Sequence, residues 1–133
     1  MQNDGRFVTA IHVCVYLDLN DGLCSSKRIA ESIGTNPVLV RRLIAKLKDH
    51  GLVKVTRGKT GGCQLAHPSS DITLWDVFLA MRTDTHFRVR IRNEADPISA
   101  SLPEALETVL AKAEYAMKQP LGSTTIRQIA SKL

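Results

Sequence analysis

The chain is poor in the features that mark secreted and membrane-spanning proteins. Its 133 residues include only three cysteines, an odd number at wide spacing, which argues against a secreted disulfide scaffold. No stretch approaches the roughly 18 uninterrupted apolar residues of a membrane span, and the N-terminus lacks a signal-peptide pattern. Aromatic residues make up only 5% of the chain, but 44% is hydrophobic, which is enough for a core. We therefore expect a soluble cytoplasmic protein of one domain.

Acidic residues are scarce in one part of the chain. The net charge is +5, but between Ser25 and Cys63 nine basic residues accompany only Glu31 and Asp49. This segment carries +7, and the rest of the chain therefore carries −2. A local basic excess is the footprint expected of a nucleic-acid-binding surface. A solvated lysine-rich surface is the alternative on charge alone.

The order of predicted elements in the first half is typical of a winged helix-turn-helix. Apolar spacing predicts a helix over residues 6–19, and Ser25 or Ser26 caps a short second helix that Gly34 closes. Asn36, followed by Pro37 at the first helical position, begins a third helix that runs to about residue 50. Residues 52–56 and 63–65 predict a β-hairpin around a basic, glycine-rich tip. The predicted fold is mainly α with this small hairpin as the wing.

The second half predicts three further helices. Thr73 and Asp76 form a capping-box pair before a short helix, and residues 83–100 are irregular, with a strand at His86–Ile91. Ser101 and Glu104 form a second capping box, which begins a helix to about residue 119 that Pro120–Gly122 breaks. Ser123 or Thr124 caps a last helix that buries Ile126, Ile129 and Leu133. Residues 1–82 are predicted to form the DNA-binding domain, and 83–133 the connecting loop, dimerisation helix and C-terminal helix.

The helix after residue 101 carries a heptad-like apolar stripe that a minimal winged domain does not need. One interpretation is a homodimer interface, because two-fold symmetric regulators bind two half-sites. The other is that the stripe covers the first helix of the same subunit. The stripe consists of Leu102, Leu106, Val109, Leu110, Ala113 and Met117.

Four segments in order resemble one family. Residues 35–53, Arg57-Gly58, 61–65 and 71–77 are similar to the Rrf2 family of bacterial transcription regulators, and the resemblance runs the length of the chain. The segment Asn36–Arg42 resembles the YwnA-like branch, without the iron–sulfur cysteines. The resemblance implies a homodimeric winged-helix repressor that binds double-stranded DNA at a pseudo-palindromic operator, with the third helix in the major groove.

The resemblance also implies where DNA is contacted. Major-groove contacts map to the start of the third helix, and phosphate or minor-groove contacts map to the wing. The candidate DNA-binding residues are Ser26, Lys27, Asn36, Val38, Leu39, Arg41, Arg42, Lys46, Arg57 and Lys59. Arg41 or Arg42 either pairs bidentately with a guanine edge, worth about 1–3 kcal/mol of discrimination, or contacts only phosphates.

The cysteines depart from the family's iron–sulfur members. Those members carry three cysteines between the short helix and the dimer helix, whereas residues 82–103 contain none here. Because cluster ligation needs converging thiolates, we expect no iron–sulfur cluster, no other cofactor and no metal site. Cys14 and Cys63 are interpreted as packing residues. Cys24 precedes a helix close to Lys27 and Arg28, which favours a thiolate, so a redox switch at Cys24 is an alternative hypothesis.

Two further classes of function, an enzyme and a protein- or RNA-binding module, are less consistent with the sequence. Gly58-Lys59-Thr60 resembles the end of a phosphate-binding loop, but Val53 stands where that motif needs glycine. The four histidines lack metal-site spacing, so no enzyme is expected. A winged-helix module that binds protein or RNA is the other alternative, against which the basic outer face of the third helix favours duplex DNA. The segment 83–100 lies where the family senses its signal. It either takes an unidentified small-molecule effector or senses nothing.

Overall fold

The computed structural model describes residues 4–82 and 93–133. They form α1 (Asp4–Leu19), α2 (Ser26–Ile33), α3 (Pro37–Asp49), β1 (Val53–Thr56), β2 (Gly62–Leu65), a 3₁₀ turn (Ser69–Asp71), α4 (Leu74–Met81), α5 (Pro97–Gly122) and α6 (Ile126–Ala130). The chain divides into two compact units, residues 1–81 with 121–133, and residues 82–120. No helix in the described ranges is long and apolar enough to cross a membrane. The predicted mainly helical fold with a hairpin wing is confirmed.

The caps of α2 and α3 lie where the sequence predicts them. Ser25 Oγ accepts the N–H of Arg28 at 3.2 Å, and Asn36 Oδ1 accepts the N–H of Leu39 at 2.9 Å. Gly34 closes α2 with φ +81°, a left-handed conformation that glycine adopts without a steric penalty. These caps set the tight turn between the two helices of the helix-turn-helix.

The core of the first unit lies between α1, α3, α4 and the wing. Apolar residues at helical spacing meet there, and the largest fully buried side chains include Ile29, Leu43, Leu47, Ile72, Ile126, Val13, Val40 and Val77. The Phe7 and Phe78 rings pack edge to face with centroids 5.6 Å apart. Because the apolar residues of α3 are buried in this core, the opposite face of α3 is left in solvent.

The wing is attached to the helices through the backbone. β1 and β2 pair antiparallel, with Val53 opposite Leu65. Cys63 of β2 also pairs with Cys24, and the N–H of each donates to the carbonyl of the other at 2.9 Å. A Cβ atom on Gly62 would lie 2.6 Å from the Cys24 carbonyl oxygen, which no real Cβ tolerates. Glycine at 62 therefore allows this close approach.

The C-terminal helix returns to the first unit. The predicted box at α4 is confirmed, because Thr73 N–H donates to Asp76 Oδ2 at 2.9 Å and Asp76 N–H to Thr73 Oγ1 at 3.1 Å. α6 packs against α1, and Ile126 N–H donates to the Ile72 carbonyl at 2.8 Å. The predicted second part, residues 83–133, includes α6, which in the structure belongs to the first unit.

The cap and the end of α6 correct two predictions. The cap is Thr125, which forms a capping box with Gln128, and not Ser123 or Thr124. Thr125 holds this position because it also pairs with Thr73 across an isolated bridge. Leu133 is 83% exposed and is not part of the core.

The long helix α5 begins earlier and ends later than predicted. Asp96 Oδ2 accepts the Ser99 N–H at 3.0 Å, so the cap is Asp96, with Pro97 first in the helix, and the box predicted at Ser101 does not form. Pro103 and Pro120 lie inside the helix, and the break predicted at residue 120 is wrong. The strand predicted at His86–Ile91 lies outside the described residues.

Gly62→Ala is expected to destabilise the protein. The added methyl group would clash with the Cys24 backbone, and relief of such overpacking costs typically about 1–3 kcal/mol. Urea unfolding followed by circular dichroism measures the change. Gly5→Ala is the control, because a Cβ at residue 5 meets no heavy atom within 4 Å and alanine favours helix. Equal unfolding free energies for the two variants would contradict the role given to Gly62.

Candidate nucleic-acid interface

One face of α3 is exposed and basic. Val40, Leu43, Ile44 and Leu47 are buried, which turns Val38, Arg41, Arg42, Ala45 and Lys48 outward at helical spacing. Val38 is 50% exposed although it is apolar. An exposed helix of this kind has the width to enter a DNA major groove, where an apolar side chain can contact a thymine methyl.

The turn between α2 and α3 contributes to the same face. Arg41 Nη1 donates to Ser26 Oγ at 3.4 Å, which links the guanidinium to the start of α2. Lys27 is exposed on the first turn of α2. The structure therefore brings Ser26 and Arg41 together, and Lys27 follows Ser26 directly in the chain.

Several predicted residues are less available to a ligand than the rest. Ser26, Leu39 and Lys46 are half-buried, and Leu39 packs against the core. Asn36 is exposed, but its side-chain oxygen is already occupied by the α3 cap. A base contact from Asn36 would therefore use its amide nitrogen. The candidate DNA-binding set leaves out Ala45 and Lys48, although the 3.6-residue spacing from Arg41 places both on the same outer face of α3.

The wing presents its cations at a tight turn. Arg57 and Lys59 are both exposed, on either side of Gly58, whose φ of +113° suits glycine. Gly61 N–H donates to the Gly58 carbonyl at 3.0 Å and closes the turn. A Cβ on Gly61 would overlap the Thr56 carbonyl, so the tip can be this narrow only with glycine there.

The basic side chains of this surface are not neutralised within the described residues. None of the nine lysines and arginines between residues 25 and 63 forms a salt bridge to an acidic residue of the described part. The described salt bridges lie elsewhere, between Arg82 and Glu114 and between Arg127 and Asp18. The +7 charge of this segment is thus available to an anionic partner.

Comparison with known proteins identifies the family. The family model described as Rrf2, iron-dependent transcriptional regulator, matches residues 4–132. YwnA of Bacillus subtilis (strain 168), named as an HTH-type transcriptional regulator, is 30% identical over 132 residues, with 98% of each chain covered. CymR of the same organism is 26% identical over 127 residues, covering 96% of this chain and 86% of CymR. The chain belongs to the Rrf2 family.

Solved structures support this assignment. The crystal structure of a protein described as DNA-binding is 29% identical, with a TM-score of 0.73 and coverage of 93% of this chain and 97% of that one. T. potens IscR, at 24% identity, shares the fold with a TM-score of 0.70 over 96% of this chain and 84% of IscR. This Rrf2 protein is therefore a DNA-binding transcription regulator with a winged helix-turn-helix.

The family description names iron, and cysteine thiolates are the side chains that hold iron–sulfur clusters. Residues 82–103 contain no cysteine, and the described residues include no group of three or more Cys, His, Asp or Glu placed to hold a metal. Cys14, Cys24 and Cys63 are all buried in the first unit as free thiols. These donors do not fit an iron–sulfur cluster of the kind that three clustered cysteines hold.

Burial governs the chemistry of the three thiols. Cys24 is fully buried, and its Sγ lies 3.9 and 4.0 Å from the carbonyls of Gly22 and Asn20, so it lacks the partial exposure of a reactive cysteine. Burial, and to a lesser degree the neighbouring Cys63, raises the pKa of Cys14 to about 12. Burial, and secondarily Cys24, raises the pKa of Cys63 to about 11. Spacing along the sequence did not reveal the pairing of the Cys24 and Cys63 backbones.

The predicted dimer stripe on α5 divides into two parts. Leu106, Leu110 and Met117 are half-buried, whereas Leu102, Val109 and Ala113 are exposed. Ile98, which the sequence prediction placed before the helix, is 72% exposed on the same face as Leu102 and Val109. None of the 26 residues of α5 is buried in the single chain.

The raised thiol pKa values predict a loss of stability at alkaline pH. Below the ordinary pKa of 9.0, the Cys63 thiol is neutral in both states and its burial contributes fully. Between pH 9 and 11 only the unfolded chain loses the proton, so the free energy of unfolding falls as pH rises. In Cys63→Ala this decline should be shallower than in wild type. Urea unfolding at a series of pH values measures how the free energy of unfolding depends on pH. The same pH dependence in Cys63→Ala and in wild type would contradict the raised pKa of Cys63.

Proposed function

We propose that the protein is a homodimeric repressor that binds a pseudo-palindromic operator with half-sites about one helical turn apart. α3 enters the major groove, and the wing contacts the neighbouring backbone or minor groove. The observation that carries this proposal is the exposed face of Val38, Arg41 and Arg42, with Arg57 of the wing close to Arg41. Lys59 is exposed at the tip of the same wing. A dimer bound there represses by occupying promoter DNA.

The side chains of this face differ in the DNA groups that they suit. Arg41, held by Ser26, and Arg42 carry planar guanidinium groups that suit a bidentate contact to guanine or a phosphate contact. Val38 offers an apolar contact to a thymine methyl. Arg57, Lys59 and Lys27 extend the positive surface and suit phosphates, which position the protein without specifying sequence.

The dimer proposal rests on α5. A 26-residue helix with no buried residue in the single chain exposes Ile98, Leu102 and Val109 along one face. Covering such a face with its copy on a second chain removes apolar surface from water, and a two-fold dimer also pairs two DNA half-sites. The assembly proposed is therefore isologous, with α5 against α5.

The regulator is further proposed to act by binding and not by catalysis, and without an iron–sulfur cluster. The absence of cysteine in residues 82–103 supports the second point. Residues 83–100 are proposed as the segment at which a small-molecule effector would act, because the resemblance places the family's sensing segment there.

Replacement of the α3 arginines should abolish operator selection. Arg41→Ala and Arg42→Ala each remove a guanidinium from the exposed face, and we expect a loss of about 1–3 kcal/mol of discrimination for a base-pairing arginine. The measurement is recovery of promoter fragments from genomic DNA by purified protein, followed by fluorescence anisotropy on the selected fragment. Raised transcription from that promoter in the absence of the protein tests repression.

The controls separate specific from general binding. Arg127→Ala removes an equally exposed arginine of α6, distant in sequence from this surface, and should select DNA as wild type does. The logarithm of affinity for random duplex DNA should fall with the logarithm of salt concentration with a slope near −9, from about ten phosphates per dimer. Unchanged selection in all three variants, or a flat salt response, would overturn the proposal.

Charge placed on the exposed α5 face should produce monomers. The double variant Leu102→Glu with Val109→Glu puts two carboxylates where the dimer would bury apolar side chains, and sedimentation equilibrium should report the monomer mass. Ala111→Glu, about 180° around α5 from Leu102 and Val109, should sediment as wild type. A double variant that remains dimeric would contradict the interface.

A further inference from the structure

A cavity lies between α3 and the wing. Its volume is about 320 Å³, at the lower end of the range for small-molecule sites. Three segments of the first unit line it, namely the loop before α2, the outer face of α3 and both strands of the wing. The lining residues are Cys24, Ser26, Arg41, Ile44, Ala45, Lys48, Val55, Thr56, Arg57, Gly62 and Cys63.

The cavity exists because of how the wing is attached. The backbone pairing of Cys63 with Cys24 holds β2 at the start of α2, so β1 crosses beside α3. Four α3 residues line the cavity, and one of them is Ala45, whose single methyl group leaves space unfilled. Val55 of β1 borders the same space and is 40% exposed, an apolar strand residue with no place in the core.

The lining combines an apolar recess with cations. Ile44, Ala45 and Val55 supply apolar surface from α3 and the wing, and Arg41, Lys48 and Arg57 supply three positive charges. None of the lining residues, all of which belong to the described part, is acidic. A site with this composition suits a ligand that has a compact apolar body and one negative charge.

DNA by itself accounts for only half of this composition. Phosphates can pair with Arg41 and Arg57, but the sugar carbons and thymine methyl groups of DNA offer only small apolar patches to Ala45 and Val55. Polar surface alone would serve a DNA-binding groove, because phosphate contacts dominate there. The apolar recess therefore points to a second kind of ligand.

We propose that the cavity between α3 and the wing binds a small amphipathic carboxylate, whose apolar body lies against Ile44, Ala45 and Val55 while its carboxylate pairs with the surrounding cations. Such a ligand cancels the charge of one of these cations and occupies the gap between the two elements proposed to contact DNA. Binding of ligand and DNA is then mutually exclusive. This consequence for DNA rests on the proposed function, whereas the ligand site itself does not.

The test uses sodium benzoate as the probe, with the full chain and no DNA. In ¹H–¹⁵N spectra, benzoate should shift the amides of Ala45, Val55 and Gly62 saturably. Benzamide has the same body without the charge, and inorganic phosphate has the charge without the body. Each should bind at least tenfold more weakly than benzoate. Equal affinities for the three compounds, or shifts that do not saturate, would overturn the proposal.

Substitutions that fill the apolar recess provide a second test of the ligand site. Ala45→Leu should weaken benzoate binding at least tenfold, and Ala111→Leu, a matched change at an exposed position of α5, should leave it unchanged. Val55→Phe fills the same space from the wing and replaces Ala45→Leu if that variant does not fold. Benzoate affinity that is unchanged in the folded variant would overturn the proposal.

The last measurement links the site to DNA. At constant ionic strength, saturating benzoate should weaken the anisotropy-measured affinity of the wild type for its selected promoter fragment at least threefold. Benzoate binding without this effect would overturn the competition. Benzoate binding by a protein that selects no DNA would contradict the proposed function and leave the ligand site intact.

Discussion

The backbone pairing of Cys24 with Cys63 is the constraint on which the functional face depends. A two-stranded hairpin alone is marginally stable in water, and these two 2.9 Å hydrogen bonds add the loop before α2 as a third partner. The pairing is possible because Gly62 lets the two backbones approach. It places Arg57 beside α3, and so determines both the spacing of the two elements proposed to contact DNA and the cavity between them.

Local signals predicted the helix-turn-helix well. Ser25, Gly34 and the pair Asn36-Pro37 each act within a few residues of their own position, and each holds the predicted role. The apolar stripe of α3 likewise determined which of its residues are buried. Because the exposed face is the complement of that stripe, most of the candidate DNA-contacting residues could be placed from the sequence.

Features that depend on distant partners were missed. The cap of α5 was predicted at Ser101 with Glu104, whereas in the structure Asp96 caps the helix and proline follows at the first helical position. The cap of α6 moved to Thr125 because Thr73, far away in sequence, pairs with it. The contact of Cys24 with Cys63 is of the same kind, since no periodicity links a loop to a strand 39 residues later.

The uneven charge also bears on how quickly the protein finds DNA. With +7 in residues 25–63 and −2 over the rest, the molecule carries a permanent charge asymmetry. A molecule with such a charge asymmetry is attracted to a polyanion and also rotated by its field, so that its positive side faces the polyanion. With the proposed interface, encounters therefore begin with α3 and the wing already facing the duplex, which shortens the rotational search and makes the association rate sensitive to ionic strength.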